Sequence, residues 1–154
     1  MKYRQILVPV DFSKYSEKAV DYAAELALRD KAEIVLLHVA TLLQSHLERE
    51  FPVYDLGQFD AIHKSQIEEH MQPILDGLKE RGIKASPQII TGYAEADQII
   101  DFIDEYKPDL VVMGTHGRSG LTHLLMGSIA EKVVRMSRVP VLTVHHEWEF
   151  ERTT

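Results

Sequence analysis

Three glycines and a serine carry the clearest chemistry in this chain. Gly114, Gly117 and the pair Gly127-Ser128 lie in MGTHGRSGLTHLLMGSIAEKVV (113–134), spaced Gly, two residues, Gly, nine residues, Gly-Ser. The segment begins where an apolar run, Leu110 to Met113, ends, and it finishes where a helical pattern, Ile129 to Met136, begins. A glycine-rich loop between a strand and a helix brings main-chain N–H groups close to phosphate oxygens, because no Cβ blocks the approach. Ser128 falls at the helix N-terminus, where its hydroxyl and the positive end of the helix favour an anion. Arg118, inside the loop, is the phosphate-binding cation. Lys132, Arg135 and Arg138 read as a solvated face of the following helix. The pattern is that of a nucleotide site.

Rival chemistries fit less well. The loop is not a Walker A motif, since no Lys precedes Ser128, and Gly114, Gly117 and Gly120 lack the dinucleotide fingerprint spacing. Without that Lys, phosphoryl transfer lacks a strong charge at its transition state. Arg118 and a bound Mg²⁺ can substitute in part, so the expectation is tight binding with slow or absent hydrolysis. The eight histidines show no HExxH pattern and no thiolate partners, which argues against a metal site. Ser128, His116 and Asp11 make a triad on paper, but no G-x-S-x-G elbow supports it. A receiver domain needs clustered acids after the first strand and a Lys near the last, whereas this chain has Asp11 alone.

The elements that must position the loop alternate strand and helix. Apolar, β-branched runs mark strands at Gln5–Val10, Ile34–Val39, Ser86–Thr91, Leu110–Thr115 and Val139–His145. Ala19, Val20, Ala23, Ala24, Leu26 and Ala27 recur at helical spacing after Asp11 and Ser13. A second helix spans Asp60 to Arg81 and ends at Gly82, with a kink or break expected at Pro73. A third covers Ala94 to Tyr106 and stops before Pro108. Such alternation indicates an α/β class with one open parallel sheet and helices on both faces. Residues 41–59 have no clean period and read as an excursion beside the site or toward a partner. In open α/β sheets ligands sit beyond the carboxyl ends of the strands at the topological switch point. Two strand ends carry suitable residues: Pro9-Val10-Asp11, and Met113-Gly114 onward. Asp11 either accepts a hydrogen bond from an adenine amino group or ribose hydroxyl, or caps the helix that follows it.

Composition narrows the classes further. The 154 residues suit a single domain, 1–146, with a short acidic tail, 147–154. Net charge is -7, against general nucleic-acid affinity. Within that acidic chain residues 110–145 are the basic part, holding Arg118, Lys132, Arg135 and Arg138 against Glu131 alone. The chain has no cysteine, which removes disulfides and cysteine nucleophiles and fits a reducing compartment. No apolar run suits a signal segment or a membrane span, so a cytoplasmic location is expected.

The quoted residues resemble the universal stress protein family. The Gly114-x-x-Gly117-x9-Gly127-Ser128 spacing is similar to that family's ATP-binding signature. ILVPVDFS, IVLLHV, DLVVMGTHGRSG and VPVLTVH fall where the family has them. The resemblance implies five parallel strands in the order 3-2-1-4-5, an adenine nucleotide alpha hydrolase-like fold, with ATP or another adenine nucleotide, and Mg²⁺, at the switch point. It implies that Asp11 and the backbone around Pro9, Val10 and Val39 contact adenine and ribose. Met113, Gly114, Gly117, Arg118, Gly127, Ser128 and Ile129 would hold the phosphate end. It also implies a homodimer through the last strand, Val141–Val144, and a nucleotide-dependent regulator in stress response. The alternatives are a slow ATPase or phosphotransferase using the same site, and a structural dimer without ligand. Ala94, where many relatives have Pro, is a departure that touches a helix start and not the site.

Overall fold

A computed structural model describes residues 2–41, 56–116 and 126–145, with backbone alone for 56–62. Gly117, Arg118, most of the 41–59 excursion and the 147–154 tail lie outside these residues. The described elements are β1 (Gln5–Pro9), α1 (Lys14–Asp30), β2 (Glu33–Thr41), α2 (Leu56–Glu80), β3 (Ala85–Gly92), α3 (Glu95–Tyr106), β4 (Leu110–Gly114), α4 (Ser128–Met136) and β5 (Val141–Val144).

The strands pair in parallel in the order β3-β2-β1-β4-β5. Their apolar runs divide by parity, as the period of two demands. Ile6, Val8, Ile34, Leu36, Leu110 and Val112 face α1 and α2, meeting Ala19, Ala23, Ile67 and Met71. Leu7, Val35, Leu37, Val39, Val111 and Met113 face α3 and α4, meeting Ile99, Ile103, Ala130 and Val133. Burial on both faces explains why β2 is apolar almost without interruption. The edge strands are less covered: Ser86 and Pro87 of β3 are exposed, and an edge tolerates the missing N–H of Pro87.

Helix ends follow local chemistry. Ser13 caps α1, its hydroxyl accepting from the Ser16 amide (3.3 Å). Gly82, at φ 76°, follows the end of α2, as a left-handed glycine does past a helix C-terminus. Of the kink or break expected at Pro73, a break does not occur: α2 runs through it. Pro73 and Glu69, whose carbonyl loses its helical donor, are both exposed, so water satisfies that group.

The β1–β4 ladder sets the site. It comprises Ile6–Leu110 and Leu7–Val111, whereas β1 continues to Pro9 and β4 to Gly114. The two strand ends therefore run past their shared pairing, and a crevice opens where the order of connections reverses.

Candidate functional site

A cleft of about 230 Å³ occupies that crevice. Of the residues singled out in the sequence, Pro9, Val10, Asp11, Met113, Gly114, Gly127, Ser128 and Ile129 line it together. Val39 does not. It is buried in the apolar layer with Ile99 and Met113. Ser16, Glu95, Ile99, Thr115, His116 and Ala130 also line the cleft. None of these was assigned to the site from sequence. Glu95 and Ile99 come from α3, and their signal was available: α3 leads into β4, so its first turns pack beside the end of that strand.

Main-chain donors concentrate at one end. Gly127 is the N-cap of α4, with extended backbone (φ -70°, ψ 154°) and no side-chain cap. The amides of Ser128, Ile129 and Ala130 precede the first intrahelical bond, which Glu131 N–H makes to the Gly127 carbonyl (2.9 Å). These three residues line the cleft, so the positive end of α4 faces it. Lys132 adds little charge there, since it pairs with Asp97 of α3 at 2.6 Å.

The glycines serve packing as well as access. A Cβ on Gly114 would lie 2.7 Å from the Tyr15 Cβ and 2.8 Å from the Tyr15 carbonyl carbon. Its bareness lets the first turn of α1 press on the end of β4. A Cβ on Gly127 would meet the Thr115 carbonyl oxygen at 3.0 Å, and the Gly127 amide already donates to that oxygen (2.6 Å). The Gly127 amide is thus spent on anchoring α4, and among the described residues the main-chain donors that remain for an anion are those of Ser128 to Ala130.

Thr115 is the anchor. It is fully buried, its amide donates to the Val144 carbonyl (3.0 Å), and its hydroxyl lies 3.1 Å from His116 Nδ1 and 3.0 Å from His145 Nδ1. One hydroxyl proton serves only one of the two rings, so at least one histidine presents Nδ1–H. The His116 ring also sits 5.2 Å from that of Tyr15.

The opposite wall is the β1–α1 turn. Asp11 accepts the Ser13 amide at 3.0 Å, a local Asx turn, while Ser13 is the cap of α1. Capping therefore belongs to Ser13, and Asp11 lines the cleft. Both main-chain groups of Val10 are engaged: its amide donates to the Leu37 carbonyl (2.8 Å), and its carbonyl accepts from His38 Nδ1–H (2.8 Å). Val10 thus contributes wall, and Asp11 the polar contact. Chemically the cleft offers helix amides for an anion, a carboxylate on the facing wall, and the apolar surfaces of Pro9, Val10, Ile99 and Met113 between them.

Comparison with known proteins agrees in fold. The chain matches the Universal stress protein family model over residues 2–145. Universal stress protein YxiE of Bacillus subtilis is 33% identical over 148 residues, covering 92% of this chain and 99% of that protein. The solved structure of MJ0577 from Methanocaldococcus jannaschii is 27% identical, with a TM-score of 0.76 over 96% of this chain and 99% of that one. A universal stress protein solved in complex with cAMP is 25% identical, with a TM-score of 0.70 over 96% of this chain and 100% of its own.

Proposed function

The chain belongs to the universal stress protein family, and from that premise we propose that its cleft binds an adenine nucleotide, foremost ATP with Mg²⁺, and that occupancy makes the protein a nucleotide-dependent regulator in stress response. One observation carries the proposal: Asp11 and the uncapped first turn of α4 face each other across a single cleft at the β1–β4 switch point. The amides of Ser128, Ile129 and Ala130 receive the phosphates. Asp11 accepts a hydrogen bond from the adenine amino group or a ribose hydroxyl, and Pro9, Val10, Ile99 and Met113 lie against the base. Gly117 and Arg118 complete the phosphate loop in this proposal. The cAMP complex of a relative supports the adenine class.

Mg²⁺ would arrive with the triphosphate and keep mostly phosphate and water ligands. Among the described residues no group of three His, Asp or Glu side chains is arranged to hold a metal ion.

The test is direct. Nucleotide freed by heat denaturation is identified by mass spectrometry, and the protein is titrated calorimetrically with ATP, ADP, AMP, cAMP and GTP. An adenine nucleotide is expected to bind, and Asp11→Ala to weaken ATP about tenfold while narrowing its preference over GTP. Absence of binding by every adenine nucleotide at millimolar concentration overturns the proposal. ATP is expected to stay intact for hours on the protein; turnover lost in Ser128→Ala or Arg118→Ala would instead support a slow ATPase.

A further inference from the structure

Phe12 adopts a left-handed backbone, φ 63°. A bulky side chain is disfavoured there, and glycine takes the conformation freely. The ring explains what glycine would forfeit. It stacks on His38 of β2 with centroids 4.9 Å apart and planes 26° apart, and it meets His70 of α2 at 5.4 Å. His38 is a buried polar residue within the otherwise apolar run Ile34–Ala40, and its Nδ1–H holds the Val10 carbonyl at 2.8 Å. The chain thus passes from Val10, fixed by His38, through Asp11, to Phe12, fixed by the same imidazole. Between the two attachments stands the carboxylate that lines the cleft.

We propose that Phe12 and His38 are positioning residues that aim the Asp11 turn at the base-and-ribose end of the cleft, and so set which nucleoside the cleft accepts. The inference rests on the adenine-nucleotide reading of the cleft. Two attachments on one rigid strand fix Asp11 in a way that its own Asx bond to Ser13 does not. That bond is local to the turn and moves with it. Left-handed backbone at a bulky residue persists only where surroundings over-determine it, and β2 supplies those surroundings. Neither residue is among the described residues that line the cleft, where Thr115, Gly127 and α4 build the phosphate end. The two ends of the cleft are therefore separable by mutation.

The experiment compares ATP with inorganic tripolyphosphate, which lacks base and ribose, on wild type, Phe12→Gly, Phe12→Tyr and His38→Phe. Phe12→Gly adopts the same φ without strain but loses both ring contacts. His38→Phe keeps a ring against Phe12 and loses the bond to Val10. In both, ATP affinity is expected to fall about tenfold while tripolyphosphate affinity stays within about twofold. Phe12→Tyr keeps wild-type values for both ligands. Parallel weakening of the two ligands in Phe12→Gly, or no change in either, overturns the proposal. Amide hydrogen exchange gives a readout independent of ligand: protection of the Ser13 amide must fall in Phe12→Gly, and its retention overturns the clamp. Wild-type protein that binds no ATP would remove the reading of the cleft instead, a result distinct from either of these.

Discussion

Thr115 shows how much one residue can organise. Its amide reaches β5, its carbonyl holds Gly127, and its hydroxyl lies between two imidazoles. Thr115→Val keeps the β-branched shape and both main-chain bonds and removes only the hydroxyl. His145 is exposed and His116 half-buried, so water replaces part of what is lost, and the expected cost is about 1 kcal/mol in urea unfolding. Thr115→Ser keeps the hydroxyl but deletes a buried methyl and should cost a similar amount, about 1 kcal/mol. Because Gly127 is held by the carbonyl, ATP affinity in Thr115→Val is expected to stay within about threefold of wild type. A much larger loss would show that the hydroxyl itself meets the ligand. The residue scale is also where the sequence was hardest to read. The importance of Gly114 was legible from its spacing, but its reason was not, because Tyr15 lies 99 positions away in the chain and only the fold brings it to Gly114. A bulky substitution at Gly114 therefore disturbs α1 before it tests any ligand.

Among the elements, β1 depends on its neighbours at its start. Asp30, at the end of α1, accepts the Tyr3 amide (3.0 Å), and Asp109, just before β4, accepts the amides of Arg4 (2.7 Å) and Gln5 (2.9 Å). The Arg29 guanidinium and the Tyr3 amide hold the Asp30 carboxyl well below the usual carboxylate range, and the Arg4 and Gln5 amides lower that of Asp109. A carboxyl depressed in the folded state contributes stability above its unfolded value, near 3.8, and loses it as pH falls through the folded one. Asp109→Asn should therefore cost about 1 kcal/mol at pH 7, with the gap to wild type closing as pH drops below about 4. A gap of constant size from pH 7 to pH 2, in parallel urea titrations, would show that the carboxylate charge is irrelevant. Strands and helices were legible to within a residue or two at most ends, because IVLLHV is a short apolar, β-branched run of strand length and the alanine ladder of α1 follows the helical period. Pro73 does not break α2 because an exposed proline in a long helix forfeits a single bond on the solvent side. The Phe12–His38 stack was missed because it depends on which elements become neighbours, and side-chain types alone do not state that, whereas the α3 wall of the cleft, Glu95 and Ile99, followed from chain order and was overlooked.

At the scale of the whole molecule the sheet has two unlike edges. β3 is blunted by exposed Ser86 and Pro87, whereas β5 is VLTV, free of proline and charge, with Leu142 at 37% exposure. Among the described residues β5 pairs with β4 alone, so its outer row of N–H and C=O groups would be a template for another strand. A second copy of this chain, antiparallel across a two-fold axis, would satisfy that row and cover Leu142. The expected outcome is a homodimer through Val141–Val144 in light scattering at micromolar concentration. Leu142→Glu should yield monomers with an unchanged circular dichroism spectrum, because the side chain is exposed and two carboxylates would face each other in the paired state. Leu142 is a better probe than Val141, which packs against the layer of α3 and α4 and would confound assembly with folding. A Leu142→Glu protein that remains dimeric would move the interface away from β5. Because the Val144 carbonyl takes the Thr115 amide, pairing at β5 would brace the floor of the cleft, and the monomeric variant should then bind ATP more weakly than the dimer.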